Sequence, residues 1–99
     1  MWARVSTYQL PSDDVDAAIQ RFNQALGDVD ELGLERAELL VDRSSGKALT
    51  ITVWSSEETL QASVEAANQI RDSAAEEASV SILDVSHYEI LEPIGGAAT

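Results

Sequence analysis

Residues 37–60, AELLVDRSSGKALTITVWSSEETL, constrain this chain more than any other stretch. Two runs of strand-forming residues flank Arg43-Ser44-Ser45-Gly46-Lys47, and a glycine among small polar residues between such runs predicts a hairpin. The second run alternates with period two, so Leu49, Ile51 and Val53 share one face and Thr50, Thr52 and Trp54 the other. It passes directly into Ser55 and Glu58, whose spacing matches a capping box, so a helix begins where the strand ends. Trp54 sits at that handover, either filling a core, lining a pocket or taking part in chemistry.

The flanking sequence completes the frame. Residues 2–10 alternate as a strand and stop at Pro11, which cannot donate to a central ladder. In SDDVDAAIQRFNQALG, Ser12 is the expected N-cap, Asp13, Asp14 and Asp16 suit the positive end of a helix, and Val15, Ile19, Phe22 and Leu26 recur at helical spacing before a stop at Gly27. DVDELGLE, with Gly33, reads as a connection. The second helix carries an alanine-rich stripe of Leu60, Val64, Ala67, Ile70 or Arg71, and Ala74. From Val80, VSILDVSHYEIL is a last strand, straight or bent into two pieces, that ends by Pro93. The expected organisation is one domain over residues 1–92 and a mobile tail over 93–99. The order predicts an α+β, ferredoxin-like βαββαβ fold with one antiparallel sheet. Right-handed crossovers between parallel central strands put both helices on one face and leave the other bare.

If the aliphatic set of the third strand meets the helices, the bare face receives Thr50, Thr52 and Trp54. It also receives Trp2, Arg4, Ser6 and Tyr8 from the first strand and Ile82, Asp84, Ser86 and Tyr88 from the last. The pocket walls expected from this set are Arg4, Ser6, Tyr8, Thr50, Thr52, Trp54, Asp84, Ser86 and Tyr88. Aromatic rings with polar tips among small hydroxyls suit a cavity that excludes bulk water and offers a few hydrogen bonds. So much aromatic surface on a small domain predicts a homodimer that covers the face by two-fold symmetry. Arg4 and Asp84 on one face form an internal ion pair, or Arg4 stays partly free to recognise an anion.

Composition narrows the partners. Eighteen acidic residues against six basic ones give a net charge of −12, which repels nucleic-acid phosphates and anionic membranes. The chain has no cysteine and one histidine, His87, so thiolate sites are excluded and neither a metal nor another cofactor is expected. His87 falls on the helix side or at a strand bend, away from the expected walls, as a surface or interface residue rather than a base. The first residues lack the apolar core of a signal peptide and no window is long enough to span a membrane, so a soluble cytoplasmic protein is expected.

On its element order, the segment GLERAELLVDRSSGKALTITVW and the Ser-Ser-Glu-Glu helix start, the chain over residues 1–92 resembles the dimeric α+β-barrel superfamily, and within it the antibiotic-biosynthesis-monooxygenase-like proteins. The resemblance implies two ferredoxin-like subunits packed sheet to sheet, with a pocket between each sheet and its helices or within the barrel. Trp54 matches a recurrent tryptophan that the haem-degrading and quinol-oxidising branches place at the pocket. Those branches often add a histidine in the second helix, where this chain has Ser63 and Val64; the haem-degrading branch has a first-strand asparagine, where this chain has Arg4, Val5 and Ser6. Haem degradation is therefore disfavoured. The function expected is binding of a small aromatic or anionic molecule, with two alternatives: a cofactor-independent monooxygenase acting on an aromatic or polyketide-like phenol, and a non-catalytic dimerising module with a filled interior.

Overall fold

The computed structural model describes residues 1–91. Four strands, β1 (Trp2–Gln9), β2 (Arg36–Asp42), β3 (Lys47–Trp54) and β4 (Ser81–Glu89), form one sheet in the order β2-β3-β1-β4. The helices are α1 (Val15–Asp30), α2 (Glu57–Ala62) and α3 (Val64–Ala78). All neighbouring strands are antiparallel, as the ferredoxin-like arrangement requires. The central strands β1 and β3 are antiparallel to each other, so each crossover joins one central strand to an edge strand beyond the other. The expectation that crossovers join parallel central strands is corrected on this point. The tail expected over residues 93–99, and Pro93 as the strand stop, lie outside the described residues.

The faces of β1 and β3 are reversed from the sequence reading. Trp54, Tyr8, Thr50, Thr52, Ser6 and Arg4 are buried beneath the helices, whereas Leu49 and Ile51 are half-buried on the outer face. The reason is volume. The helices present Ala18, Ala25, Ala67, Ala74 and Ala75 to the sheet, all nearly inaccessible. Alanines leave a gap between layers that Arg4, Tyr8 and Trp54 fill from the sheet, while the smaller Ser6, Thr50 and Thr52 leave part of it open. Tyr8 meets Phe22 with ring centroids 4.6 Å apart, and Trp54 packs with Leu60 and Val29 at the other end of the layer. Fully burying a side chain of that kind contributes about 1.5–3 kcal/mol.

Element ends also shift. Asp14, not Ser12, caps α1, its Oδ1 accepting from Ala17 N at 3.3 Å. The helix runs through Gly27 to Asp30 because Val29 in the last turn is buried against Trp54 and Leu60; the chain reverses instead near Gly33, at φ +95°. In the hairpin, Asp42 Oδ1 accepts from Ser44 N and Ser44 Oγ, and Gly46 has φ +78°. A Cβ at Gly46 would lie 2.8 Å from Gln9 Nε2 and 3.2 Å from Leu10 O, so this turn needs its glycine. Ser56, one residue beyond the predicted Ser55, caps α2 through Thr59 N. The second helix then breaks at Ser63, whose Oγ donates to Leu60 O at 2.7 Å.

Candidate functional site

A cavity of about 30 Å³ lies between the sheet and the helices. Arg4, Ser6 and Tyr8 of β1 and Thr50 and Thr52 of β3 form its floor; Phe22, Ala25, Leu26 and Val29 of α1 and Ala67, Ile70 and Arg71 of α3 form its walls. Register explains the floor, since Arg4 pairs with Thr52 and Ser6 with Thr50, and paired residues project to the same face.

Five of the nine residues expected from sequence therefore line one cavity, under the helices rather than on the bare face. Trp54 shares their face without lining it: the ring is fully buried and its Nε1 donates to Thr52 Oγ1 at 3.0 Å. Asp84, Ser86 and Tyr88 are separated from the others. They pair with Thr7, Val5 and Ala3 and so project to the outer face, where Tyr88 is 54% exposed. An irregularity opposite Thr7 and Tyr8 makes Leu83 an extra residue in β4, and Ile82 falls opposite Tyr8 on the helix side. The Arg4–Asp84 ion pair is ruled out by this placement; Asp84 instead accepts from Ser86 Oγ at 2.6 Å.

Arg4 is 4% exposed. Its Nη2 donates to Ser63 Oγ at 2.9 Å and to Leu60 O at 3.2 Å, and its Nε lies 3.3 Å from His87 Nε2, an acceptor in the neutral imidazole. The guanidinium stands 5.5 Å from the Trp54 ring centroid, within cation–π range. Burial and then the nearby Arg71 charge lower its pKa to about 10, which leaves it a cation at neutral pH. His87, expected away from the walls, pairs across the sheet with Arg4 and so shares its face, without lining the cavity. Burial first, then the charges of Arg4 and Arg71, hold its pKa below the ordinary value. Tyr8 OH lies 3.3 Å from Thr50 Oγ1, so the floor is an internally bonded polar strip.

Arg71, which lines the cavity, and Ser63, which holds Arg4, were not among the pocket residues expected from sequence. Arg71 was one of two candidates for a single apolar stripe position; both it and Ile70 line the cavity. An arginine at a stripe position, where the helix otherwise offers alanine, was the available signal. Among the described residues, no group of three acidic or histidine side chains could hold a metal ion, and no helix is long and apolar enough to cross a membrane.

No family model and no curated protein matches the chain. Solved structures do. A proposed antibiotic biosynthesis monooxygenase from Deinococcus radiodurans superposes with a TM-score of 0.72 at 20% identity, over 96% of this chain and 97% of that one. A second proposed antibiotic biosynthesis monooxygenase, from Chloroflexus aurantiacus, gives 0.65 at 14% identity, over 95% and 96%. A protein from an uncultured marine organism, described as dimeric and ferredoxin-like, gives 0.59 at 9% identity, over 96% and 93%. The fold expected from the resemblance is thus the fold found: that of the antibiotic-biosynthesis-monooxygenase-like proteins.

Proposed function

We propose that this chain binds a small organic molecule between the sheet and the helices of each subunit of a homodimer. The observation that carries the reading is the convergence of a buried cation, two hydroxyl-bearing threonines, a tyrosine and apolar helix residues on one cavity. Cores rarely bury an unpaired charge or so many hydroxyls unless they serve a guest. The homodimer is supported by the outer sheet face. Val5, Leu49 and Ile51 lie at its centre and Leu40, Leu83 and Tyr88 are exposed beside them, a larger apolar surface than a small monomer usually leaves in water. The marine neighbour described as dimeric agrees with it. Sedimentation at micromolar concentration should give twice the 10.7 kDa of the chain; a single species at the monomer mass contradicts the assembly.

Two further readings have a specific observation each. A cofactor-independent monooxygenase acting on an aromatic or polyketide-like phenol would use the cations: a phenol beside Arg4 and Arg71 has its pKa lowered and ionises more readily without a dedicated base. Oxygen consumption with phenolic substrates, lost in Arg4→Gln, tests it. The filled, non-catalytic module draws on the cavity's size, since about 30 Å³ holds only about one or two waters and ligand pockets usually run to about 300 Å³ or more. A thermal-shift screen separates it from the binding readings, because a ligand selective for the folded state raises the melting temperature by mass action.

A further inference from the structure

The distribution of ion pairs singles out two arginines. Acidic residues outnumber basic ones by 18 to 6, so an arginine in this chain has a carboxylate within easy reach. Arg21 pairs with Glu77, Arg36 with Glu38 at 2.6 Å and Arg43 with Asp16 at 2.8 Å. Among the described residues, Arg4 and Arg71 pair with none, and these two face the same cavity. Their bonds to other groups leave donors over. Arg4 spends Nε and Nη2 on His87, Ser63 and Leu60, which leaves Nη1 without an acceptor among the described residues. Arg71 spends Nη2 on Asn68 one turn back, and its Nε is the buried side-chain donor left without a partner among the described residues.

Two cations side by side repel each other, and a buried donor without an acceptor costs free energy. Neither condition is needed for packing. An anion between the guanidinium groups relieves both, because it balances the charges and accepts the spare N–H groups. A carboxylate suits the place: its two oxygens match planar guanidinium donors, and a cavity of about 30 Å³ admits a group of that size. Beyond the guanidinium groups the walls turn apolar at Phe22, Leu26 and Ile70; a ring is larger than the cavity of about 30 Å³, so these side chains would have to part for a ring or short chain to lie against them. We propose that Arg4 and Arg71 form a binding site for the carboxylate of a small organic acid whose apolar part rests between α1 and α3. This rests on the pocket reading above and names the ligand class for that same site. Arg4 is the fixed half, anchored to Ser63 and Leu60 at the helix break. Arg71 is the adjustable half, tied only to its own helix.

Matched probes test the proposal by calorimetry and thermal shift on the whole chain: acetate and benzoate as acids, acetamide and benzamide as their neutral counterparts. The acids should bind and raise the melting temperature, and benzoate should bind more tightly than acetate. Arg71→Gln removes a side chain whose hydrogen bond among the described residues is to Asn68 of its own helix, and should fold; it should weaken benzoate by about ten-fold or more while changing benzamide by less than about two-fold. Arg4→Gln should act in the same direction, and Arg21→Gln, whose parent residue is paired with Glu77, should leave both affinities unchanged. Equal affinity for benzoate and benzamide, or benzoate binding insensitive to Arg71→Gln, would overturn the carboxylate site while leaving the pocket. Binding of none of the four probes at millimolar concentration would overturn both.

Discussion

Trp54 is the residue the sequence advertised most and the one the site uses least directly. Its ring is fully buried, its N–H is taken by Thr52, and it supports Arg4 from below rather than facing the cavity. Trp54→Ala should therefore cost about 3–5 kcal/mol in urea unfolding. Trp54→Phe keeps most of the packing but frees Thr52 Oγ1, so it should cost less than half of that. A Phe variant as unstable as the Ala variant would show that the indole hydrogen bond, not ring volume, holds the layer together. His87 gives a pH dependence. Burial and two nearby cations lower its pKa, so the folded state resists its protonation more than the unfolded chain does. The stability it contributes is complete above its ordinary value of 6.5 and is lost as pH falls through the lower folded value. The melting temperature should decline below about pH 6.5, and His87→Gln should flatten that part of the decline; an unchanged slope would place the titrating group elsewhere.

At the scale of elements, the number and order of the strands and the helical stretches between them were legible because each has its own local signal, although the second stretch is two helices, α2 and α3, rather than one. The hairpin has Gly46 and the run that alternates as ALTITVW, and α1 has an acidic start before a helical stripe. Which face of each central strand turns inward was not legible. Alternation shows that two faces differ but not which one meets a helix, and the usual rule, aliphatic inward, fails where the helices bring alanine and the sheet must supply the bulk. Asp84, Ser86 and Tyr88 were joined to the wrong partners for the same reason, since their own outward placement was read correctly and that of Arg4, Ser6 and Tyr8 was not. The extra residue at Leu83 leaves no mark in composition. Nor did Ser63 announce a helix break, which follows from a hydroxyl bonding back to Leu60 and accepting from Arg4. One element end carries its own prediction. Ser79 closes α3 in the left-handed conformation, at φ 56°, where a non-glycine side chain costs about 1–2 kcal/mol. Ser79→Gly relieves that cost against a larger loss of chain entropy, for a net gain of up to about 1 kcal/mol, or about 4–8 °C in melting temperature. A lower melting temperature would show that the Ser79 side chain supports the turn.

At the scale of the molecule, the sheet divides two tasks between its faces. The helix side holds the polar, cation-bearing cavity, and the outer side holds an aliphatic surface, the one the proposed second copy would cover. A net charge of −12 keeps the exterior anionic, so the cavity that Arg4 and Arg71 share, both without an ion pair among the described residues, is the place proposed for an acid. Isolating those arginines spectroscopically is the most direct test of this division. In a ¹⁵N–¹H spectrum tuned to arginine side chains, benzoate titrated into the protein should shift the Nε–H signals of Arg4 and Arg71 along saturable curves with one dissociation constant. The paired arginines Arg21, Arg36 and Arg43 should stay in place, as should the methyl signals of Val5, Leu49 and Ile51 on the outer face. Saturable shifts at those methyl groups with Arg4 and Arg71 unmoved would put the ligand between the sheets and contradict the account.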